Sequence, residues 1–357
     1  MKIHNYSAGP CILPQEVFEK SAQAIINFNN SGLSLLEISH RSKDFVAVMD
    51  QARALALELL DLTGKGYQAL FLSGGASMEF LMAPQNLMKI NGKAAYLDTG
   101  TWAASAIKEA KLFGETIVVA SSAQENYNHI PKIYDIPTGA DYFHCTSNNT
   151  IFGTQMKLFP ETNIPVVCDM SSDIFSRVLD FTKFDLIYAG AQKNMGPAGT
   201  TLVVVKESIL GKSGRTIPSV LDYQKHIKAD SMYNTPPVFP IYASLLTLQW
   251  LQKMGGIAAI EKLNNAKAEL LYAEIDRNSM FIGTANKEDR SVMNPTFLLK
   301  DEANTEIFDK MWKAANISGL TGHRSVGGYR ASMYNALTID SVQVLVDVMK
   351  NFEEKLK

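Results

Sequence analysis

The feature of this sequence that most constrains its fold is a series of short, continuously apolar segments separated by helical patterns. The apolar segments are residues 67–72, 94–97, 116–120, 142–145, 166–169, 186–189 and 200–205. Apolar side chains at helical spacing occur in other segments, as in residues 42–60 and 102–113. Because strands that are covered on both faces read as continuous apolar runs, the pattern predicts an α/β fold. We expect a large, mostly parallel mixed sheet between two layers of helices.

The pattern changes after the paired glycines Gly255 and Gly256. The segments that follow are a long helix from residue 257 to about 275, a strand at 296–299, a helix at 305–315 and a closing helix from 339. Such a sequence of elements is typical of a smaller α+β domain. We therefore predict a large domain at residues 14–255, and a small domain formed by residues 1–13 and 256–357.

Charge and cysteine content exclude several classes of partner. The chain has 34 Lys and Arg against 36 Asp and Glu, and no run of five like charges, so neither a nucleic-acid surface nor a membrane surface is expected. Three widely spaced cysteines without a C-x-x-C pair predict small buried side chains rather than disulfides or a metal site. No segment approaches the about 18 apolar residues of a membrane span. We expect a soluble, cytoplasmic protein.

Known phosphate and hydrolase motifs are absent, but three local patterns remain. Residues 73–77, Ser-Gly-Gly-Ala-Ser, join a strand to a helix and could bind an anion at the helix N-terminus, or could simply form a tight turn. Asp169 ends an apolar strand, where open α/β sheets bind ligands, although it could instead cap a helix. Lys193 follows another apolar strand directly and is either a desolvated, imine-forming amine or a surface lysine.

One ligand would use all three positions together. Pyridoxal phosphate has an aldehyde for Lys193, a phosphate for the glycine-rich turn and a ring nitrogen for Asp169. A carboxylate beside that nitrogen favours its protonated form. Trp102, at the start of a predicted helix, could stack on the ring, or could be an ordinary core residue. The three patterns predict pyridoxal 5'-phosphate as the cofactor and no metal.

Longer stretches of the chain resemble a known family. These stretches are Ser7 to Pro10, Ile38 to Lys43, Thr101 to Ser105, Asn148 to Ile151, Tyr188 to Gly199, Met232 to Pro237, Gly322 to Gly328 and Arg330 to Ser332. Together they resemble the phosphoserine aminotransferases, which are class-V aminotransferases with the fold type I of pyridoxal-phosphate-dependent transferases.

The resemblance implies a role for each matching residue. It implies that Lys193 is the Schiff-base lysine and moves a proton between the substrate α-carbon and the cofactor, that Asp169 contacts the pyridine nitrogen and that Trp102 stacks on the ring. The other implied cofactor contacts are Ala76, Ser77, Thr150, Gln192, Asn234 and Thr235. In this family the residues matching Asn234 and Thr235 reach the neighbouring subunit's cofactor, which implies a homodimer with shared active sites. Implied substrate contacts are Arg330 for the α-carboxylate, and His40, Arg41, His323 and Arg324 for the distal anion.

The family's reaction is the expected function. It transfers the amino group of L-glutamate to 3-phosphohydroxypyruvate and gives O-phospho-L-serine and 2-oxoglutarate, a step of serine biosynthesis. A side role on 3-hydroxy-2-oxo-4-phosphonooxybutanoate, in pyridoxine biosynthesis, is also implied. Two alternatives stay open: another class-V enzyme such as a cysteine desulfurase, or a protein that binds pyridoxal phosphate without catalysis. The last cysteine, Cys168, lies in a predicted strand, which argues against the desulfurase.

Overall fold

A computed structural model describes residues 2–357 of the chain. Its helices are α1 (Gln15–Ile26), α2 (Lys43–Leu59), α3 (Gly75–Leu87), α4 (Thr101–Ala110), α5 (Ala191–Asn194), α6 (Tyr223–Lys228), α7 (Val238–Lys253), α8 (Gly256–Arg277), α9 (Thr305–Ala314) and α10 (Ile339–Leu356). Its strands are β1 (His4–Asn5), β2 (Tyr67–Leu72), β3 (Lys93–Asp98), β4 (Glu115–Ser121), β5 (Phe143–Thr146), β6 (Asn148–Asn149), β7 (Thr154–Gln155), β8 (Val166–Asp169), β9 (Leu186–Gly190), β10 (Thr201–Lys206), β11 (Phe281–Gly283), β12 (Thr296–Leu299), β13 (Ile317–Ser318) and β14 (Tyr329–Arg330).

The seven predicted apolar segments form one sheet, in the order β2-β10-β9-β8-β5-β3-β4. Strand β10 runs antiparallel to both of its neighbours, and the other pairs are parallel. The predicted mostly parallel mixed sheet is therefore confirmed. Strands β5, β8, β9 and most of β10 are buried along their whole length, which explains their unbroken apolar character.

Helices cover both faces of this sheet. Alternate residues of each strand point to opposite faces, so Leu202 and Val204 lie in one hydrophobic cluster, and Val203 and Val205 lie in another. The first cluster includes apolar side chains of α2 and α7, and the second includes those of α3 and α4. Asp169 is in register with Thr146 on β5 and Tyr188 on β9, which places all three side chains on the α3 and α4 face.

A third hydrophobic cluster lies in the C-terminal part of the chain. It contains side chains from α8, α9, α10 and the antiparallel sheet β11-β12-β14, together with Tyr6 from the N-terminus. Strand β1 brings Tyr6 there by pairing in parallel with β13. The sequence predicted only the strand at 296–299 in this region, and the structure adds two short partners, β11 and β14. The boundary at residue 255 between two domains stays a prediction.

The predicted helix at 102–113 ends earlier, at Ala110, because the backbone of Phe113 turns back to bond the carbonyl of Ala110. Within residues 2–357 no helix is long and apolar enough to cross a bilayer.

Candidate active site

Part of the predicted site lies where the parallel strands of the sheet end. Strand β8 ends at Asp169, and β9 runs directly into the short helix α5, which carries Lys193. Strand β2 leads through the glycine-rich turn into α3. Strand β3 leads into α4, whose second residue is Trp102. Since these strands are parallel, their carboxyl ends lie on the same edge of the sheet, the usual ligand-binding position in open α/β folds.

Lys193 lies at the centre of this edge. Its Nζ donates a hydrogen bond of 2.8 Å to Oγ1 of the buried Thr150, and lies 5.6 Å from the centroid of the Trp102 ring. Burial lowers the pKa of Lys193, the charge of Asp169 opposes that effect, and the nearby Arg330 adds to it. A lysine with a lowered pKa reaches its uncharged, nucleophilic form more easily than a surface lysine does.

The turn that carries Lys193 is held from two sides. The backbone N–H of Cys11 donates to the carbonyl of Gln192 over 3.0 Å, and the Cys11 thiol donates to the carbonyl of Lys193 over 2.5 Å. On the other side, Oδ1 of Asn194 accepts a hydrogen bond of 2.9 Å from the backbone N–H of Asn335. Cys145 and Cys168 are buried as predicted, but Cys11 is only half-buried and takes part in these contacts. The sequence signal that could have revealed it is the Ser7 to Pro10 stretch immediately before it.

Asp169 is buried and held in a fixed direction. Its Oδ1 accepts a 2.9 Å hydrogen bond from the backbone N–H of Ser171, which closes a short Asx turn. Burial raises the pKa of Asp169, and the charge of Lys193 opposes that effect. A cation bound beside this carboxyl would favour its ionised form further. Ser171 was not among the predicted site residues, although the Asp-x-Ser spacing is a known turn signal.

Helix α3 begins without a side-chain cap. Gly74 precedes it with φ of 111°, and a side chain there would place Cβ 2.5 Å from Cβ of Met78, so only glycine fits. The first N–H groups of the helix, including those of Ala76 and Ser77, have no acceptor within the helix itself. Free N–H groups and the positive end of the helix dipole suit a phosphate group.

Two further groups at this edge have unused hydrogen-bond donors. Trp102 Nε1 and Arg330 Nε are buried without a hydrogen-bond partner among residues 2–357. Arg330 lies on β14, and its Nη1 donates to the carbonyl of Thr150 over 3.4 Å, so Thr150 accepts hydrogen bonds from both Arg330 and Lys193. Burial lowers the pKa of Arg330. Together with Lys193 and Asp169, these groups fit a flat, anionic aldehyde cofactor.

The other predicted site residues form no side-chain hydrogen bond or ion pair with Lys193 among residues 2–357. Arg41 and Arg324 are exposed, and His40 and His323 are half-buried on turns. Asn234 and Thr235 are exposed on the loop between α6 and α7. Gln192 is adjacent to Lys193 in sequence, and its side-chain amide lies over the backbone of Gly190.

Comparison with known proteins identifies the family. The family model for class-V aminotransferases matches residues 3–345. The chain belongs to this family. It is 82% identical over its full length to the phosphoserine aminotransferase of Flavobacterium psychrophilum, of which it covers 100%. It is 57% identical to that of Parabacteroides distasonis, with 99% of this chain and 100% of the relative covered.

Solved structures of the family have the same fold. Phosphoserine aminotransferase from Bacillus circulans subsp. alkalophilus matches with a TM-score of 0.96 at 42% identity, over 100% of this chain and 99% of the other. The pyridoxal-phosphate-bound enzyme of Trichomonas vaginalis matches with a TM-score of 0.93 at 35% identity, over 98% and 100% of the two chains. The resemblance, the fold class and the pyridoxal phosphate cofactor predicted from the sequence are thereby confirmed.

Proposed function

We propose that this chain transfers the amino group of L-glutamate to 3-phosphohydroxypyruvate, which gives O-phospho-L-serine and 2-oxoglutarate. The observation that carries the proposal is the contact of Lys193 with Thr150 and Trp102 at the sheet edge where Asp169 and the uncapped helix α3 also lie. Full-length relatives named phosphoserine aminotransferase, at up to 82% identity, support the choice of substrate.

Pyridoxal phosphate, when bound, supplies an aldehyde carbon that carries the amino group and a ring that accepts electron density from the substrate. Lys193 would take a proton from the substrate α-carbon and return it, a role that is supported by the lowered pKa of its desolvated amine. Thr150 orients that amine through a hydrogen bond of 2.8 Å. Asp169 would hold the ring nitrogen protonated, and the α3 N-terminus would bind the phosphate.

Substrate binding is assigned to the basic residues around this centre. Arg330, beside Thr150 and Lys193, would bind the α-carboxylate that every substrate of the reaction carries. His40, Arg41, His323 and Arg324 would bind the distal group, which is a phosphate in one half-reaction and the γ-carboxylate of glutamate in the other. The exposure of both arginines leaves their guanidinium groups free to contact a ligand.

A homodimer with shared active sites is part of the proposal. Asn234 and Thr235 lie on an exposed loop beside the exposed ring of Tyr233, a position that suits contact with a second copy. The loop is anchored to the sheet, since Ser231 Oγ accepts from the N–H of Phe71 at 2.7 Å and donates to its carbonyl at 3.1 Å. Phe71 is the second-last residue of β2, the strand that leads into the glycine-rich turn, so the loop and the turn are both supported by β2.

The alternative of a cysteine desulfurase receives no support from the structure. That reaction needs a mobile, accessible cysteine, whereas Cys145 and Cys168 are buried in strands. The residue Cys11 is half-buried, but its thiol lies against the carbonyl of Lys193 and is desolvated there. This desolvation raises the pKa of the Cys11 thiol to about 12, which also makes it a poor nucleophile. A side role on 3-hydroxy-2-oxo-4-phosphonooxybutanoate and a cytoplasmic location complete the proposal.

A spectroscopic half-reaction tests the proposed function. The enzyme loaded with pyridoxal phosphate is mixed with O-phospho-L-serine, L-glutamate, L-cysteine or L-alanine, and the cofactor absorbance is followed. We expect full conversion to the amine form with O-phospho-L-serine and L-glutamate, and slow or no conversion with L-alanine. Equal rates with all four amino acids would contradict the assigned substrate. No spectral change with any of them would favour a non-catalytic carrier, and sulfide release from L-cysteine would favour a desulfurase.

A further inference from the structure

The loop that carries His323 and Arg324 is closed into a tight turn. The N–H of Gly322 donates to the carbonyl of Gly328 over 2.8 Å, and the N–H groups of Val326 and Gly327 both donate to the carbonyl of His323. A side chain at Gly322 would collide with the carbonyl of Gly327, so the turn requires glycine there. These bonds fix the backbone of His323 while its ring stays accessible.

Ser325 determines which nitrogen of the His323 ring carries the proton. The backbone N–H of Ser325 lies 3.2 Å from Nδ1 of His323, and the Ser325 hydroxyl lies 2.7 Å from the same atom. A backbone N–H can only donate, so Nδ1 must accept, and the hydroxyl must donate as well. In the neutral ring the proton then lies on Nε2. Nε2 makes no hydrogen bond to residues 2–357, so it remains free to donate to a ligand.

The surroundings of the ring favour the neutral form. Partial burial lowers the pKa of His323, and the positive charges of Arg330 and Arg324 lower it further. Since Arg330 and Arg324 are both cations, neither of them stabilises a protonated imidazole. Two donors on Nδ1 disfavour protonation of that atom as well, because a protonated Nδ1 would face them with its own hydrogen.

We propose that Ser325 is a positioning residue that holds His323 as a neutral donor, with its Nε2–H directed at the distal anion of the substrate. This inference rests on the proposed function and deepens it. A neutral donor contributes a hydrogen bond but no charge, so the charge of the pocket comes from Arg324 and Arg41. Such a pocket depends less on the charge of the anion, and can accept either a phosphate or a carboxylate in the two halves of one reaction.

Nuclear magnetic resonance of the histidine ring nitrogens tests the tautomer directly. The full-length enzyme loaded with pyridoxal phosphate is labelled with nitrogen-15, and His323→Gln assigns the His323 signals. We expect the Nε2–H form in the wild type near neutral pH. Ser325→Ala keeps the backbone N–H at 3.2 Å but loses the shorter hydroxyl contact at 2.7 Å, so the fraction with the proton on Nδ1 should rise without becoming complete. In Ser325→Thr, which keeps a hydroxyl, that fraction should return to the wild-type value. A protonated ring or an Nδ1–H form in the wild type would overturn the proposal.

Kinetics provide the second readout. In Ser325→Ala the KM for 3-phosphohydroxypyruvate should rise roughly three- to tenfold, the effect of weakening one neutral hydrogen bond, with little change in kcat. Ser325→Thr should restore the KM. An unchanged KM in Ser325→Ala, or a changed KM with an unchanged tautomer, would refute the role of Ser325. If the wild type shows the Nε2–H form but does not transaminate phosphoserine, the proposed function fails while the tautomer assignment stands. Titration with inorganic phosphate then tests the anion contact separately. A change in the Nε2 chemical shift on adding phosphate would support that contact, and an unchanged shift would overturn it.

Discussion

The two sides of the candidate site are built in different ways. The lysine side, which we define as Lys193, Thr150, Asp169 and Arg330, lies at strand ends. Thr150 is hydrogen-bonded to both Lys193 and Arg330, and the backbone N–H of Ser171 holds Asp169 in place. The anion side, defined as His40, Arg41, His323 and Arg324, lies on turns, and both of its arginines are exposed. Residues placed by a sheet are pre-positioned before any ligand arrives, whereas residues on turns depend on the ligand or on a second chain to gather them.

The difference in burial suggests that the lysine side serves the chemical step and that the anion side serves substrate selection. On the lysine side, burial lowers the pKa of Lys193 and raises the pKa of Asp169, so it favours the uncharged form of each group. The lowered pKa of Lys193 suits a group that exchanges protons. A cation beside Asp169 would favour the ionised carboxylate that burial alone disfavours. On the anion side, exposed cations attract a charged substrate but are screened by water and salt. Substitutions of Lys193 and Asp169 should therefore lower kcat. Substitutions on the anion side should raise KM for substrates with a distal anion, whereas substitution of Arg330 should raise KM for every substrate, because each carries an α-carboxylate.

The largest effect is expected from Lys193→Ala. Because the proposed function makes this amine both the covalent attachment of the cofactor and the proton-transfer group, kcat should fall by about 10⁴-fold or more. The fold should persist, since the lost side chain makes a single hydrogen bond to Thr150. Steady-state kinetics and circular dichroism measure the two quantities. The matched control is Lys206→Ala on β10, whose partner Asp185 lies 3.7 Å away, and equal activity of the two variants would contradict the assignment.

A smaller loss of activity is expected from Asp169→Asn. The amide keeps an oxygen for the N–H of Ser171, so the local turn is preserved while the negative charge is lost. We expect kcat to fall about 10²- to 10³-fold, the range for removing one preorganised electrostatic contact. The absorbance of bound cofactor as a function of pH reports the ring environment. Asp185→Asn, beside β9, is the control, and an unaltered pH titration in Asp169→Asn would exclude contact with the ring nitrogen.

Much of the lysine side could be predicted from the sequence, and the reason is physical. A strand buried on both faces must be apolar, so polar residues such as Asp169 and Lys193 at its end stand out. The antiparallel direction of β10 could not be predicted, because an apolar run does not encode its direction. The contact of Cys11 with Lys193 also could not, since 182 residues separate the two. Two-residue strands such as β1, β13 and β14 are too short to show any periodicity.

A buried acid in α3, the helix that follows the glycine-rich turn, should make stability depend on pH. Glu79 in α3 is fully buried, its Oε2 accepts a 2.5 Å hydrogen bond from the Tyr223 hydroxyl, and burial raises its pKa from 4.5 to about 7. Between these two values the folded chain keeps a proton that the unfolded chain has released. The free energy of unfolding should therefore fall as pH rises through this window, by about 3 kcal/mol in total.

Glu79→Gln isolates this effect. The amide retains an oxygen for Tyr223 but does not ionise, so the fall in stability across the window should shrink by the contribution of Glu79. Denaturant unfolding at a series of pH values measures it. Glu302→Gln, at an exposed position, is the matched control and should keep the wild-type dependence. A variant curve parallel to the wild-type curve would show that Glu79 is already ionised in the folded chain.

Two arginine variants should distinguish the two sides by their effects on KM for oxo acids with and without a distal anion. Arg324→Ala should raise KM for 3-phosphohydroxypyruvate about tenfold, a reduced value for a charged contact because the side chain is exposed. It should hardly alter KM for pyruvate, which has no distal anion. Arg330→Ala should raise KM for both oxo acids, because both carry the α-carboxylate. Comparable losses for pyruvate and 3-phosphohydroxypyruvate in Arg324→Ala would place that arginine outside the distal pocket.

The smallest effect, that of salt, tests the comparison without any substitution. Raising ionic strength from about 0.1 M to about 1 M shortens the screening length from about 10 Å to about 3 Å, which weakens attraction by exposed charges much more than contacts between buried groups. KM for 3-phosphohydroxypyruvate should therefore rise about two- to fivefold, whereas kcat, which depends on the buried lysine side, should stay nearly constant. Arg324→Ala should show a weaker salt dependence of KM than the wild type. If salt lowered kcat and left KM unchanged, the charges that matter would lie on the lysine side, and the division between the two sides would be wrong.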